Sequence, residues 1–146
     1  MISHRETRKV PYPAELMYAV VSDVEKYPEF LPWVLALRVL SRRENSMTAE
    51  MAVGYGALRE RYTSDVKLDP SIHRIDVVQL KGPFKTLENH WQFTPSGAGC
   101  EVTFSIQFEF QSRLLHTVAG AKFEKVMLKM ADAFEARAAA LSDPVS

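Results

Sequence analysis

Over residues 100–110 every second position is apolar: Cys100, Val102, Phe104, Ile106, Phe108 and Phe110 alternate with Glu101, Thr103, Ser105, Gln107 and Glu109. A period of two predicts a strand with one dry and one wet face. The same period, punctuated by turn residues, runs through residues 34–111. Met47, Ala49, Met51, Val53 and Tyr55 form one row, and Gly54-Tyr55-Gly56 predicts a tight turn or bulge at its end. On the next strand Tyr62, Ser64, Val66 and Leu68 oppose Arg61, Thr63, Asp65 and Lys67, and Asp69-Pro70-Ser71 turns the chain. Residues 72–80 predict a further strand, Lys81-Gly82-Pro83 breaks it, and residues 84–94 carry Leu87, Asn89, Trp91 and Phe93 on one side. Pro95-Ser96-Gly97-Ala98-Gly99 then closes a hairpin into the strand at 100–110.

The period changes at both ends. Residues 3–10 are short and charge-rich, and Pro11-Tyr12-Pro13 stops them, as suits an edge strand. From Ala14 the residues Leu16, Met17, Val20, Val21 and Val24 recur at helical spacing, and a second helical turn is punctuated by Pro28 and Pro32. Residues 114–141 predict one helix about 42 Å long at 1.5 Å per residue. Leu115, Val118, Ala119, Phe123, Val126, Met127, Met130, Phe134 and Leu141 fall near one face of it, with Lys122, Lys125, Lys129, Asp132 and Glu135 largely off that face. One strand, two short helices, six strands and a long helix define an α+β domain over residues 1–146: a curved antiparallel sheet of about seven strands wrapped around the C-terminal helix. A sheet of that width curls as it twists, which leaves room between helix and sheet.

If the dry rows face the helix, the interior holds large, adaptable side chains. Such a set reads as a packed core or as an apolar ligand cavity. Asn89 interrupts one row, and Glu60 shares the parity of Tyr62. A buried polar group without a partner costs about 1–3 kcal/mol, so inward Asn and Glu call for a partner, a water or a ligand.

Charge narrows the partners. With 18 Lys+Arg against 18 Asp+Glu, the chain lacks the cationic surplus of a polyanion binder held by counterion release, and DNA is not an expected partner. Arg59, Arg61, Lys67, Arg42-Arg43 and Arg5, Arg8, Lys9 are the basic spots from which a ribosomal surface contact would be built. Cys100 is the lone cysteine, expected to be an inert core thiol. His4, His73, His90 and His116 show no metal-ligand spacing, and no nucleophile elbow or phosphate loop occurs. Glu60 with Asn89 is the one catalytic pair the inward rows suggest. No apolar run approaches the roughly 18–20 residues of a membrane span, and no apolar stretch follows the basic residues at the N-terminus. The expected location is cytoplasmic, with peripheral contact at the inner membrane.

The local strings add a resemblance. Tyr18-Ala-Val-Val-Ser-Asp-Val24 leading into Tyr27-Pro-Glu-Phe-Leu-Pro-Trp33, then Gly82-Pro-Phe84 with Leu87, Trp91 and Phe93 following, resembles the coenzyme Q-binding family of START-like, polyketide cyclase/dehydrase-like domains. That group also includes bacterial ribosome association toxins. The resemblance covers nearly the whole chain; Val34 stands where the family often has a Cys after the Trp. It implies the helix-grip fold, an apolar tunnel between sheet and helix, and binding of ubiquinone as cargo, with no catalytic residue, metal or further cofactor. The tunnel-lining residues would be Met51, Tyr55, Tyr62, Leu87, Asn89, Trp91, Phe104, Phe108, Phe123, Met127 and Met130. Of these, Asn89, Tyr55, Tyr62 and Trp91 offer donors to the ring oxygens. Phe30, Leu31, Pro32 and Trp33 would form a gate or membrane-touching loop, or else a packing corner. Delivery of ubiquinone, or of a related isoprenoid or other apolar lipid, in support of respiration is the function implied. A ribosome-associating translation inhibitor and a cyclase- or hydratase-type enzyme are the alternatives, because one fold hosts several functions.

Overall fold

The computed structural model describes residues 1–56 and 58–142, apart from the side chains of Tyr55 and Leu58. Strand β1 (Ile2–Val10) leads to helix α1 (Ala14–Ser22), a 3₁₀ turn at Val24–Lys26 and the single-turn helix α2 (Tyr27–Phe30). Six strands follow: β2 (Val34–Arg43), β3 (Ser46–Tyr55), β4 (Leu58–Asp69), β5 (Arg74–Lys81), β6 (Phe84–Ser96) and β7 (Gly99–Phe110). Helices α3 (Arg113–Leu128) and α4 (Met130–Ser142) complete the described chain. The strands form one antiparallel sheet in the order β1-β7-β6-β5-β4-β3-β2, so β2 to β7 is a meander and β1 returns to pair with the last strand. This is the α+β architecture that the periodicity predicts.

Two boundaries differ from the sequence expectation. The strand expected from residue 72 begins at Arg74, because Ser71 donates from its backbone N–H and its hydroxyl to the Asp69 carboxylate. That side-chain turn holds the chain out of the ladder, and His73 takes φ 53° to leave it. Ile72 is exposed as a result. The expected single long helix is broken at Lys129, whose N–H donates to the Val126 carbonyl at 3.1 Å, an i→i−3 bond that tightens the turn. Met127 and Met130, on either side of the break, are both buried. Two residues of the expected helical stripe are exposed, Val118 at 61% and Leu141 at 57%. At about 100° per residue Val118 lies a quarter-turn off the line through Ala119, Phe123 and Val126. Leu141 sits in the final turn, against the surface of α1 near Leu16 and Val20 rather than under the sheet.

Helix α3 starts where the Ser112 hydroxyl accepts from Leu115 N–H at 3.1 Å, a side-chain cap on the first turn. Its inner face meets an aromatic cluster: Phe84 stacks on Phe110 at 4.6 Å between ring centres, and Phe123 stands edge-on to Phe108 at 4.7 Å. A second cluster lies under α4, with Trp91 stacked on Phe104 at 4.1 Å and edge-on to the fully buried Phe134 at 5.1 Å. Each such ring contributes about 1.5–3 kcal/mol of burial. The outer side of α4 is tied down by charge. Arg8 reaches Asp132 at 2.8 Å and Glu135 at 3.1 Å, and Arg137 pairs with Glu29 at 3.1 Å while covering the Phe30 ring. These contacts lock β1 and α2 onto the C-terminal helices.

The β1–β7 closure leaves no room at Gly99, where a Cβ would lie 2.0 Å from the Val10 carbonyl oxygen and 3.0 Å from Pro11 Cα. Both are backbone atoms, so relief requires the edge strand to move. Gly99→Ala is expected to lower the unfolding free energy by about 3 kcal/mol, measured by urea titration, with β1 amides losing protection first in hydrogen exchange.

Candidate ligand cavity

On the concave face, large residues alternate with one small pair. Met51 lies opposite Tyr62 and Met47 opposite Val66, but between them Ala49 lies opposite Ser64. Two short side chains in register leave a hollow that neighbouring rows do not fill. A cavity of about 60 Å³ results, roofed by Val21, Val24, Tyr27 and the Met127–Met130 step of the helix break, and floored by β2 to β6. Among the described residues none that lines it is charged. Leu37, Met51, Val77 and Asn89 are half-buried and mark where it approaches solvent.

The structure sorts the residues expected to line a tunnel into two groups. Met51, Tyr62, Leu87, Asn89, Trp91, Met127 and Met130 line the cavity together. Phe104, Phe108 and Phe123 do not. They are at most 2% exposed and packed ring against ring in the two aromatic clusters, which consume their faces. The Tyr55 side chain lies outside the described residues. The four-residue gate segment divides as well. Leu31 and Trp33 turn inward and line the cavity, Phe30 packs on Tyr27 and Phe134 beneath Arg137, and Pro32 is exposed. In this arrangement the segment seats α2 against the sheet. Glu60 is half-buried opposite Val53 and is not among the lining residues, so it forms no pair with Asn89 inside the cavity. Cys100 is buried at the β1–β7 edge, where burial raises its thiol pKa, with the Glu15 charge adding to the effect. Among the described residues no group of three or more His, Cys, Asp or Glu is placed to hold a metal ion, and no helix is long and apolar enough to cross a membrane.

The polar atoms of the cavity are few. The Tyr62 hydroxyl donates to Met51 Sδ at 3.4 Å, and Trp91 Nε1–H donates to Asn89 Oδ1 at 3.2 Å. Tyr27 donates to the Val21 carbonyl, which fixes the 3₁₀ turn over the cavity. Burial raises the phenol pKa of both tyrosines, and for Tyr27 the nearby Tyr62 and Asp23 add to the shift. Both are neutral donors. Ser64 Oγ, on a residue 6% exposed, has no hydrogen-bond partner among the described residues. Sequence reasoning placed Ser64 on the inward row but gave it no role; the available signal was a small polar residue in an otherwise large apolar row. Ala49 carried the companion signal. Gly82 lets the β5–β6 turn pass close to Tyr62, since a Cβ there would come within 2.5 Å of the Tyr62 Cβ.

A neutral, apolar-lined hollow thus lies between a curved antiparallel sheet and a broken C-terminal helix, the arrangement of an α+β helix-grip domain. Residues 10–135 match the family described as polyketide cyclase / dehydrase and lipid transport, and the chain belongs to that family. It is 36% identical over 141 residues to a ribosome association toxin RatA of Rickettsia prowazekii, covering 94% of this chain and 97% of that one. It is 34% identical over 142 residues to the mitochondrial coenzyme Q-binding protein COQ10 homolog B of Xenopus laevis, covering 94% of this chain and 58% of that one. Among solved structures, a START superfamily protein from Mycobacterium smegmatis superposes with a TM-score of 0.77 at 21% identity, covering 96% of this chain and 99% of that one. The Zhui aromatase/cyclase from a Streptomyces species superposes with a TM-score of 0.84 at 18% identity, covering 94% and 93%. The helix-grip, START-like fold implied by the sequence is the fold observed.

The buried phenols set an alkaline limit. Their folded-state pKa values stand above the ordinary value of about 10, so the stability they contribute is intact below that pH and is lost as pH rises beyond it, where the unfolded chain ionises more readily. The melting temperature is expected to fall above about pH 10, and Tyr62→Phe to flatten part of that fall, in thermal scans from pH 8 to 11.

Proposed function

We propose that this protein is a non-enzymatic carrier that holds ubiquinone, or a related neutral isoprenoid lipid, between sheet and helix and delivers it in support of respiratory electron transport. It would work in the cytoplasm and at the inner membrane surface. The observation that carries this reading is a cavity whose lining has aromatic, aliphatic and thioether groups and no charge. Such a surface favours neutral cargo, because an ion would lose its hydration without a counter-charge. The name of the frog mitochondrial relative supports the choice of cargo. An acid–base enzyme finds less support: no carboxylate, His or Lys lines the cavity, and its phenols are held neutral.

At about 60 Å³ the cavity is smaller than the roughly 300–1,000 Å³ of sites for drug-sized ligands. Loading therefore requires expansion. The parts that can yield are Met51, Met127 and Met130, whose unbranched side chains change rotamer readily, and the joint at Lys129. Apolar area removed from water then repays the opening at about 25 cal/mol per Å². Solvent extraction of the purified protein is expected to release a quinone, and the stripped protein to take up decylubiquinone. Ala49→Leu, which fills the hollow, is expected to weaken uptake at least about tenfold while keeping the fold. Protein that releases no quinone and binds none when it is added would overturn the reading.

A second reading, association with a ribosomal subunit, is favoured by one surface feature and by the name of the Rickettsia relative. On the outer face of β2 to β4, Arg38 and Arg61 share Glu50 at 3.3 and 3.1 Å, so one of these two charges is uncompensated within the trio. Arg43 lies nearby on Asp65. In co-sedimentation with purified subunits, an Arg38→Glu, Arg61→Glu double variant is expected to lose binding, and raised salt to weaken the parent steeply. Salt-independent pelleting, or no change in the variant, would count against it.

A further inference from the structure

We infer that the Ser64 hydroxyl is the anchor for an oxygen of the bound lipid, so that the cavity selects a neutral head bearing a carbonyl or hydroxyl group over a plain hydrocarbon. This rests on the carrier reading and deepens it. Ser64 lines the cavity and is 6% exposed, and its Oγ has no hydrogen-bond partner among the described residues. A buried hydroxyl left in that state costs about 1–3 kcal/mol, so it is retained at a disadvantage unless a ligand satisfies it.

Among the described residues no neighbour of Ser64 supplies a partner. Opposite Ser64 on β3 is Ala49, which has no polar side-chain atom. Opposite it on β5 is Gln79, but that amide is doubly engaged with the Phe84 backbone, donating to the carbonyl at 2.8 Å and accepting from the N–H at 3.2 Å. The Tyr62 hydroxyl, two residues away on the same strand, donates to Met51 Sδ. The β4–β5 register also shifts between Thr63 and Ser64, and a bulge at such a place re-aims the side chains beside it.

A second donor completes the site. Asn89 uses its carbonyl oxygen to accept from Trp91 Nε1–H, which leaves the amide N–H₂ to donate. Ser64 on β4 and Asn89 on β6 are separated by one strand, with Val77 opposite Asn89 and Gln79 opposite Ser64. Two strand spacings put the strands about 10 Å apart. Donors on two sides of one hollow suit a compact head with oxygens on two sides, and a lining without charge among the described residues disfavours a phosphate or carboxylate head.

The test compares decylubiquinone with decylbenzene, which has the same tail and no oxygen. Quinone binding is followed by quenching of Trp33 and Trp91, which both line the cavity, and decylbenzene by competition. Ser64→Ala is expected to weaken decylubiquinone about three- to tenfold and leave decylbenzene unchanged. Ser64→Thr, which keeps the hydroxyl, should restore most of the affinity. The melting temperature of the ligand-free Ser64→Ala protein should be equal to or above that of the parent, since an unsatisfied group has been removed. If Ser64→Ala weakens both probes alike, or neither, the anchor is overturned while the carrier stands. If the parent binds the hydrocarbon but not the quinone, the anchor is likewise overturned. If the parent binds neither probe, the carrier reading falls and the anchor with it.

Discussion

A single helix about 10–12 Å across cannot cover the concave face of a seven-stranded sheet that spans roughly 29 Å from first strand to last. Most of this molecule follows from how that mismatch is resolved. α3 and α4 close over β1, β7 and β6, where the two aromatic clusters fill the gap ring against ring. Over the remaining strands the cover comes from α1, the 3₁₀ turn and α2, with only the Met127–Met130 step of the C-terminal helices reaching across. These short elements follow the curve but do not fill it, and the cavity lies under them.

Three local choices keep the hollow open. The Ala49–Ser64 pair removes side-chain volume at mid-sheet. Met127 and Met130, three residues apart on the inner helix face, line the hollow from either side of the break at Lys129. Tyr27, anchored to the Val21 carbonyl and packed on Phe134, holds the short elements over the gap. Charge is handled separately, on the outside. Arg8 and Arg137 tie distant elements to α4, and Arg38 with Arg61 decorates the convex face. Interior and exterior therefore differ in chemistry: a neutral apolar hollow inside, and ion pairs of both signs outside. The relatives' names span the same two possibilities.

Strand number and the inward rows were legible because a period of two leaves no ambiguity when one face is dry; the pairing of β1 with β7 was not. Residues 100–110 alone specify a register that β1 and β6 then adopt. Seven of the eleven expected lining residues meet at the cavity for the same reason. Phe104, Phe108 and Phe123 share the inward parity yet belong to solid packing. Parity says which face a side chain takes and nothing about how far along the strand the helix presses upon it. The corner formed by Leu31 and Trp33 was visible as an apolar, proline-bounded string, but its direction was not, because two prolines permit either an outward loop or an inward fold.

What the sequence determined by itself is the alternation of dry and wet positions and the one long amphipathic stretch after it, and hence a one-faced antiparallel sheet covered by helix, since that stretch is the apolar element left to cover the dry face. Which stretch of that dry face would be packed and which left hollow was decided only in three dimensions. It depends on the fit between side-chain volumes on strands far apart in the chain, here Ala49 against Ser64 beneath a helix that bends at Lys129. A hydroxyl such as that of Ser64 is ordinary in a strand; its burial without a partner is a property of the assembled cavity alone.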